Sequence, residues 1–299
     1  MRNVILVIVL LLASCTVNGQ QRPHGELPLP QVPEELTSPT DRAAYIAEHF
    51  WDAMDWRDST LLRDKAFMEQ SFANFLSLFP ILTRQDGETA VRTLMTKAGS
   101  VMEAYRTVVN IAEKYLYDPN SPMLNEELYA LFLEDITRSR VLDDADVARH
   151  AQVLKDVRKN SRGAVAADFE YIDRNGKRRA LHSTDADTLL LVFYDPDCEH
   201  CTEIINVLRQ DAILHKAIAD GRLTVLAIYA DGDRNLWDKT KNTLPEEWLV
   251  GIDISSIQQH GAYILRAMPT LYLLDSNKTV LAKDIMPDAI SDILGMEKE

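Results

Sequence analysis

Between residues 41 and 159 the apolar positions recur every three or four residues, whereas from Gly163 onward they gather in short runs separated by turn residues. The first pattern belongs to amphipathic helices, the second to strands alternating with helices. Thr40 can cap a helix over 41–56 with Ala43, Ile46, Phe50 and Met54 on one face. A second helix over 64–79 carries Met68, Phe72, Phe75, Leu76 and Phe79 and stops at Pro80. The pattern resumes over 88–117 through Val91, Leu94, Met95, Met102, Tyr105, Val109 and Leu116, a stretch that Gly99 can interrupt. After a turn cluster at Asp118, Pro119, Asn120, Ser121 and Pro122, residues 125–138 and 144–159 supply two more helices. Five helices on short loops imply an all-α helical bundle domain over 40–162.

The second texture, over 163–299, opens with two short segments, 169–172 and 178–181, flanking Asp173-Arg174-Asn175-Gly176, whose Asn-Gly pair is a strong hairpin signal. The wholly apolar run 189–194 reads as a buried strand, Asp195 and Pro196 as its turn, and 198–219 as a helix closed by Gly221. Another apolar strand follows over 223–230, so strand, crossover helix and strand make a parallel βαβ unit. Beyond it the pattern predicts a short helix over 237–243, a strand over 248–252 and a helical stretch over 255–263. A hairpin pairs 271–275 with 279–283 across Ser276-Asn277-Lys278, and Pro287 starts a terminal helix. The expected architecture is therefore an α/β domain, a central mixed β-sheet flanked by helices, preceded by the all-α region.

The N-terminus changes the picture of where the chain works. Arg2, the apolar core from Val4 to Leu12, and then Ala13, Ser14 and Cys15 have the charge, apolar and small-residue order of a secretory signal and are too short to span a bilayer. Leu12-Ala13-Ser14-Cys15 resembles the bacterial lipobox, which implies cleavage before Cys15 and a lipid anchor on its sulfur. Ordinary cleavage at Val17-Asn18-Gly19 is the alternative. Residues 1–15 are thus a signal peptide, and 16–39, with Pro23, Pro28, Pro30, Pro33 and Pro39, an extended tether. Both outcomes export the chain to the periplasm or cell envelope, with no membrane contact expected beyond the lipid.

Composition excludes more than it assigns. At 299 residues and 46% hydrophobic residues the chain can build real cores, and a net charge of −14 argues against nucleic acid. Three cysteines are too few for a disulfide scaffold, and with Cys15 in the leader the folded part keeps one pair, Cys198 and Cys201. That pair falls at the turn between the apolar strand and its helix. Cys198 would lie at the helix start, where free N–H groups and the positive dipole end favour a thiolate, and Cys201 one turn on, close enough to close a disulfide. The competing readings of a lone Cys-x-x-Cys are half a zinc site, a structural disulfide and two ordinary buried thiols. His182 and His260 have no ligand spacing to the pair, so no metal is expected. In the helical half His49, Trp51 and Trp56 read as core or interface residues, and His150 as a lone surface-type histidine.

Arg266-Ala267-Met268-Pro269-Thr270-Leu271, following Cys198-Glu199-His200-Cys201 in the right order and between the right elements, resembles the thioredoxin-like superfamily, closest to its exported thiol-disulfide interchange (TlpA-like) branch. The stretch 113–122, with Asn125-Glu126-Glu127 after it, resembles a helical domain of unknown function found ahead of such domains in exported bacterial proteins. The resemblance implies that Pro269 is cis and faces the dithiol, with Met268 and Thr270 in the same substrate-binding loop. Disulfide exchange then assigns attack to Cys198 and release to Cys201. His200 would favour the thiolate, while Glu199, with Asp195, Asp197 and Glu203, opposes it. Departures are Asp197 where thioredoxin has an aromatic residue, Val192 where some relatives place a buried acid, and Ala166-Ala167-Asp168-Phe169 for Ala-Pro-Asp-Phe. The implied function is a thiol-disulfide oxidoreductase of reductase or isomerase type, without cofactor, acting on protein thiols and disulfides of the envelope and recycled by a redox-active membrane protein. The alternative is a non-enzymatic partner-binding protein with a redox-sensing or structural thioredoxin-like module. Peroxide reduction is a weaker third reading, because the Pro and Thr pattern before a peroxidatic cysteine is missing.

Overall fold

The computed structural model describes residues 26–296; the expected signal peptide, Cys15 and the first part of the tether lie outside the described residues. Compactness divides the chain into two units, 1–111 and 112–299, whereas the change of sequence texture falls at Gly163.

In the first unit, α1 (Pro39–His49) is capped by Ser38, whose Oγ accepts from the Asp41 N–H, and not by Thr40. Proline fits the first helical turn because its missing N–H is one that would go unpaired there, so the cap moves ahead of Pro39. The helix also stops at His49, seven residues short of expectation, and buried Phe50, Trp51, Met54 and Trp56 follow in turns. A short α2 (Ser59–Arg63) precedes α3 (Lys65–Leu76), which Asp64 caps through the Phe67 N–H at 3.1 Å. After a 3-10 turn at Phe79–Ile81 come α4 (Arg84–Ala98) and α5 (Met102–Leu116), separated at Gly99. The rings of Trp51 and Phe75 meet edge-on at 5.9 Å in a core shared with Phe72, Leu94 and Met95.

The second unit begins inside α5 and includes α6 (Glu126–Ile136) and α7 (Asp144–Val157). Between residues 39 and 157 the described chain thus holds seven α-helices instead of five, the additions being α2 and the split at Gly99. His150 is buried, at 1% exposure, and corrects the surface assignment. Its Nδ1–H donates to the Asp146 carbonyl at 2.7 Å and its Nε2 accepts from Arg149 at 3.0 Å, so both polar edges are satisfied within α7.

The sheet comprises β1 (Glu170–Asp173), β2 (Arg178–Ala180), β3 (Thr188–Tyr194), β4 (Leu223–Tyr229), β5 (Leu249–Asp253), β6 (Thr270–Asp275) and β7 (Val280–Lys283), in the order β2-β1-β5-β4-β3-β6-β7. β3, β4 and β5 are parallel and the outer pairings are antiparallel. Every residue of β3 is buried, as its unbroken apolar run demands. Leu190, Val192 and Tyr194 face one core layer together with Cys201, Ile204 and Leu208, while Leu189, Leu191 and Phe193 face the other. On β5 the Tyr171 ring of β1 lies where a side chain at Gly251 would project: a Cβ there would come within 2.3 Å of it. The hairpin is seated by that notch.

Three expectations change in detail. The helix expected over 198–219 is two, α8 (Glu199–Gln210) and α9 (Ala212–Ala219), because the Asp211 carboxylate accepts from Ile213 N–H at 2.7 Å and Leu214 N–H at 3.0 Å and starts a new helix. The stretch 255–263 forms turns and no helix; the Asp253 carboxylate takes the N–H groups of Ser255 and Ile257, and Ser256 and Gly261 have positive φ. The short helix after β4 begins earlier than expected, as α10 (Arg234–Thr240) capped by Asp233. The terminal helix α11 (Pro287–Met296) starts where its proline predicts.

Candidate active site

The dithiol is placed by three local rules. β3 ends at Tyr194, Asp195 turns the chain by accepting from the Asp197 N–H through Oδ1 (2.9 Å) and from the Cys198 N–H through its carbonyl (3.2 Å), and Cys198 becomes the N-cap of α8. As the cap, Cys198 Sγ accepts from the Cys201 N–H at 3.1 Å, one of the N–H groups a helix start leaves unpaired. Cys201 lies beneath it at 1% exposure, and its Sγ accepts from the Asp195 N–H at 3.5 Å. Burial pushes the Cys201 thiol up to about 12; the Asp195 N–H pulls the other way and the adjacent Cys198 adds to the rise. No bond joins the two sulfurs; Cys198 is partly buried and Cys201 is sealed.

Across from the sulfurs, the Met268–Pro269 peptide bond is cis and the Met268 carbonyl oxygen stands 3.7 Å from Cys198 Sγ. Thr270 is buried and its hydroxyl donates to the Ala267 carbonyl at 2.7 Å, closing the loop upon itself. The residues between the cysteines point outward. Glu199 and His200 are exposed, and His200 Nδ1 meets Glu203 Oε2 at 3.3 Å. Val192 is buried in the layer of Cys201, so no carboxylate stands under the dithiol at that position. Among the described residues no group of histidines, cysteines and carboxylates is arranged to hold a metal.

The charges that hold the loop carry no local signal in the sequence. Glu126, at the start of α6, bonds Arg266 through one carboxylate oxygen and Lys283 through the other. Arg266 also donates to the Tyr117 carbonyl and lies flat on the Tyr117 ring, 3.7 Å from its centroid. Asp284, partly buried beside them, is raised to about 6 by burial and by the Glu126 carboxylate, against the pull of Lys283 and Arg266. An acid raised on folding costs stability once ionised: the cost is absent below its ordinary value near 4, grows between about 4 and 6, and is complete above about 6. Asp284→Asn is therefore expected to raise stability by about 2 kcal/mol at pH 7.5 and by nothing measurable near pH 3.5. Asparagine also accepts the positive φ of this position. Urea midpoints at the two pH values check it, and a gain of equal size at both would refute the electrostatic account.

A mixed sheet with a parallel centre, a Cys-x-x-Cys at the strand-to-helix turn and a cis proline facing it define a thioredoxin-like protein. A thioredoxin-like protein from Bacteroides caccae is 33% identical, covers 93% of this chain and the whole of its own, and superposes with a TM-score of 0.86. The C-terminal domain of an uncharacterized protein from Bacteroides fragilis is 37% identical over 46% of this chain and 99% of its own, with a TM-score of 0.45. The thioredoxin domain of a thiol-disulfide oxidoreductase from Bacteroides vulgatus is 18% identical over 46% of this chain and 99% of its own, with a TM-score of 0.41. Residues 13–160 match the model of a domain of unknown function, DUF5106. No curated protein matches the chain. The chain belongs to the thioredoxin-like proteins, with a DUF5106 region ahead of the sheet.

Proposed function

We propose that this protein is a thiol-disulfide oxidoreductase of reductase or isomerase type that exchanges disulfides with proteins of the cell envelope through Cys198 and Cys201. The observation that carries the reading is the asymmetry of the pair: a partly buried Cys198 at a helix tip, its Sγ receiving the Cys201 N–H, over a sealed thiol. In the reducing direction the Cys198 thiolate attacks one sulfur of a substrate disulfide. The bond to the other sulfur breaks, and that sulfur leaves with the electron pair and takes a proton. Cys201 then gives up its proton and attacks Cys198 Sγ, which frees the second substrate thiol and leaves the Cys198–Cys201 disulfide. Two electrons pass from enzyme to substrate, and a redox-active membrane protein returns them. Glu199 and His200 tune the pair from the solvent side, and the loop of Met268, Pro269 and Thr270 receives the substrate backbone.

The leader fits export, and Cys15 a lipid anchor, with residues 16–39 as tether. No helix among the described residues is long and apolar enough to cross a membrane. The test is insulin reduction by dithiothreitol together with the potential of the pair against glutathione buffers. Catalysed turnover and a potential between about −270 and −120 mV are expected. A disulfide that resists millimolar dithiothreitol in the folded chain would leave the pair structural and the reading wrong.

A further inference from the structure

Beside the dithiol lies a pocket of about 340 Å³ whose walls come from three places. The tip of α8 gives His200 and Ile204, the loop and strand around the cis proline and the segment after β7 give Met268, Pro269, Ile285 and Met286, and the DUF5106 region gives Pro119, Asn120 and Leu124. This last wall is fastened at the loop itself, through Glu126 between Arg266 and Lys283 and through Tyr117 under Arg266. Arg266, which lines the pocket, is engaged by Glu126; apolar side chains form the larger part of the walls, and Asn120, His200, Thr270 and Asp284 supply polar positions among them.

What fills the pocket follows from its continuity with the reacting sulfur. A substrate joined to Cys198 must run its chain past Met268, whose carbonyl is 3.7 Å from that sulfur. Met268 also lines the pocket, so a chain that passes it enters the pocket beside the reacting sulfur. We propose that the turn carrying Pro119, Asn120 and Leu124 is the specificity wall of the substrate groove, and that it selects unfolded or extended polypeptides with a large apolar side chain next to the reacting cysteine. The inference rests on the oxidoreductase reading for its substrate, and names the class that reading leaves open. Leu124 and Asn120 are positioning and specificity residues; neither takes part in the sulfur chemistry.

The experiment uses the full chain and three disulfides. One is a heptapeptide with phenylalanine on both sides of a single cysteine joined to glutathione, the second its glycine counterpart, and the third glutathione disulfide. The phenylalanine peptide should be preferred over the glycine peptide by about tenfold in kcat/KM, carried by KM. Leu124→Ala should shrink that ratio to about twofold, and Leu124→Trp, whose larger side chain narrows the pocket, should abolish it, with glutathione disulfide turnover reporting whether the dithiol itself still reacts. In parallel, the phenylalanine peptide with serine for cysteine should bind the natural chain and bind Leu124→Trp at least about tenfold more weakly. Turnover with a ratio indifferent to both variants overturns the wall while leaving the oxidoreductase reading intact. Peptide binding that depends on Leu124 without any turnover overturns the oxidoreductase reading and leaves the wall standing. Dimers that Leu124→Trp dissolves, with no peptide preference, would give the pocket to a second copy of the chain and overturn the proposal.

Discussion

Cys198→Ser is expected to lower disulfide exchange about a thousandfold or more, to the rate of the buffer thiol alone, while Cys201→Ser keeps the first half of the reaction and stops at the mixed disulfide. The two cysteines are three residues apart and chemically identical, so the difference comes only from where the helix puts them. Cys198 is the cap, only partly buried, and its sulfur receives a backbone N–H. A serine hydroxyl there accepts the same hydrogen bond but is not ionised near neutral pH and does not attack sulfur. Cys201 is sealed in the layer of Val192 and Tyr194 and held as a thiol by burial. A foreign disulfide does not reach it, but the Cys198 sulfur does. Mass spectrometry of Cys201→Ser incubated with glutathione disulfide should therefore find one glutathione on Cys198, and of Cys198→Ser none. Equal turnover by the natural chain and Cys198→Ser would end the enzymatic claim.

Glu126→Ala is expected to cost about 2–4 kcal/mol of stability in the second unit. The single carboxylate answers two cations that are largely out of water, and its removal leaves both without their counterion. Asp284 softens the loss. Its own ionisation is held back by Glu126, so when that charge goes Asp284 ionises more readily and faces the same two cations. The double variant Glu126→Ala with Asp284→Asn should therefore be less stable than the sum of the single changes predicts, with a coupling of about 1 kcal/mol or more. Urea midpoints at pH 7.5 measure the cycle, and strict additivity would refute the shared network.

The parts of this molecule legible in its sequence are those set by local rules. An unbroken apolar run gave β3, an Asn-Gly pair the β1–β2 hairpin, and the turn residues Asp195 and Pro196 the position of Cys198. What escaped depends on partners distant in the chain. The helix pattern over 198–219 is continuous in its apolar spacing, and Asp211 reads there as one more exposed polar position. In the fold its carboxylate caps α9 and also accepts from the Ser291 hydroxyl of α11. Residues 255–263 have helical spacing, but Asp253 takes their first N–H groups. His150 has no apolar signature, and its burial follows from α7 satisfying both ring nitrogens. Arg266 stood in the recognised loop and Glu126 just after the recognised turn, yet nothing along the chain couples positions 140 residues apart.

The Tyr171 notch at Gly251 has a temporal side. β1 borders only β2 and β5, so the hairpin that comes off the ribosome first in the sheet has no edge to join until the chain has been made as far as Asp253. Its docking waits on β5, so the earliest synthesised strands of the sheet cannot be zipped in before the fifth has been made. A methyl group at position 251 would block that seating and would also press on Ile228 of β4, level with Phe193 near the dithiol end of β3.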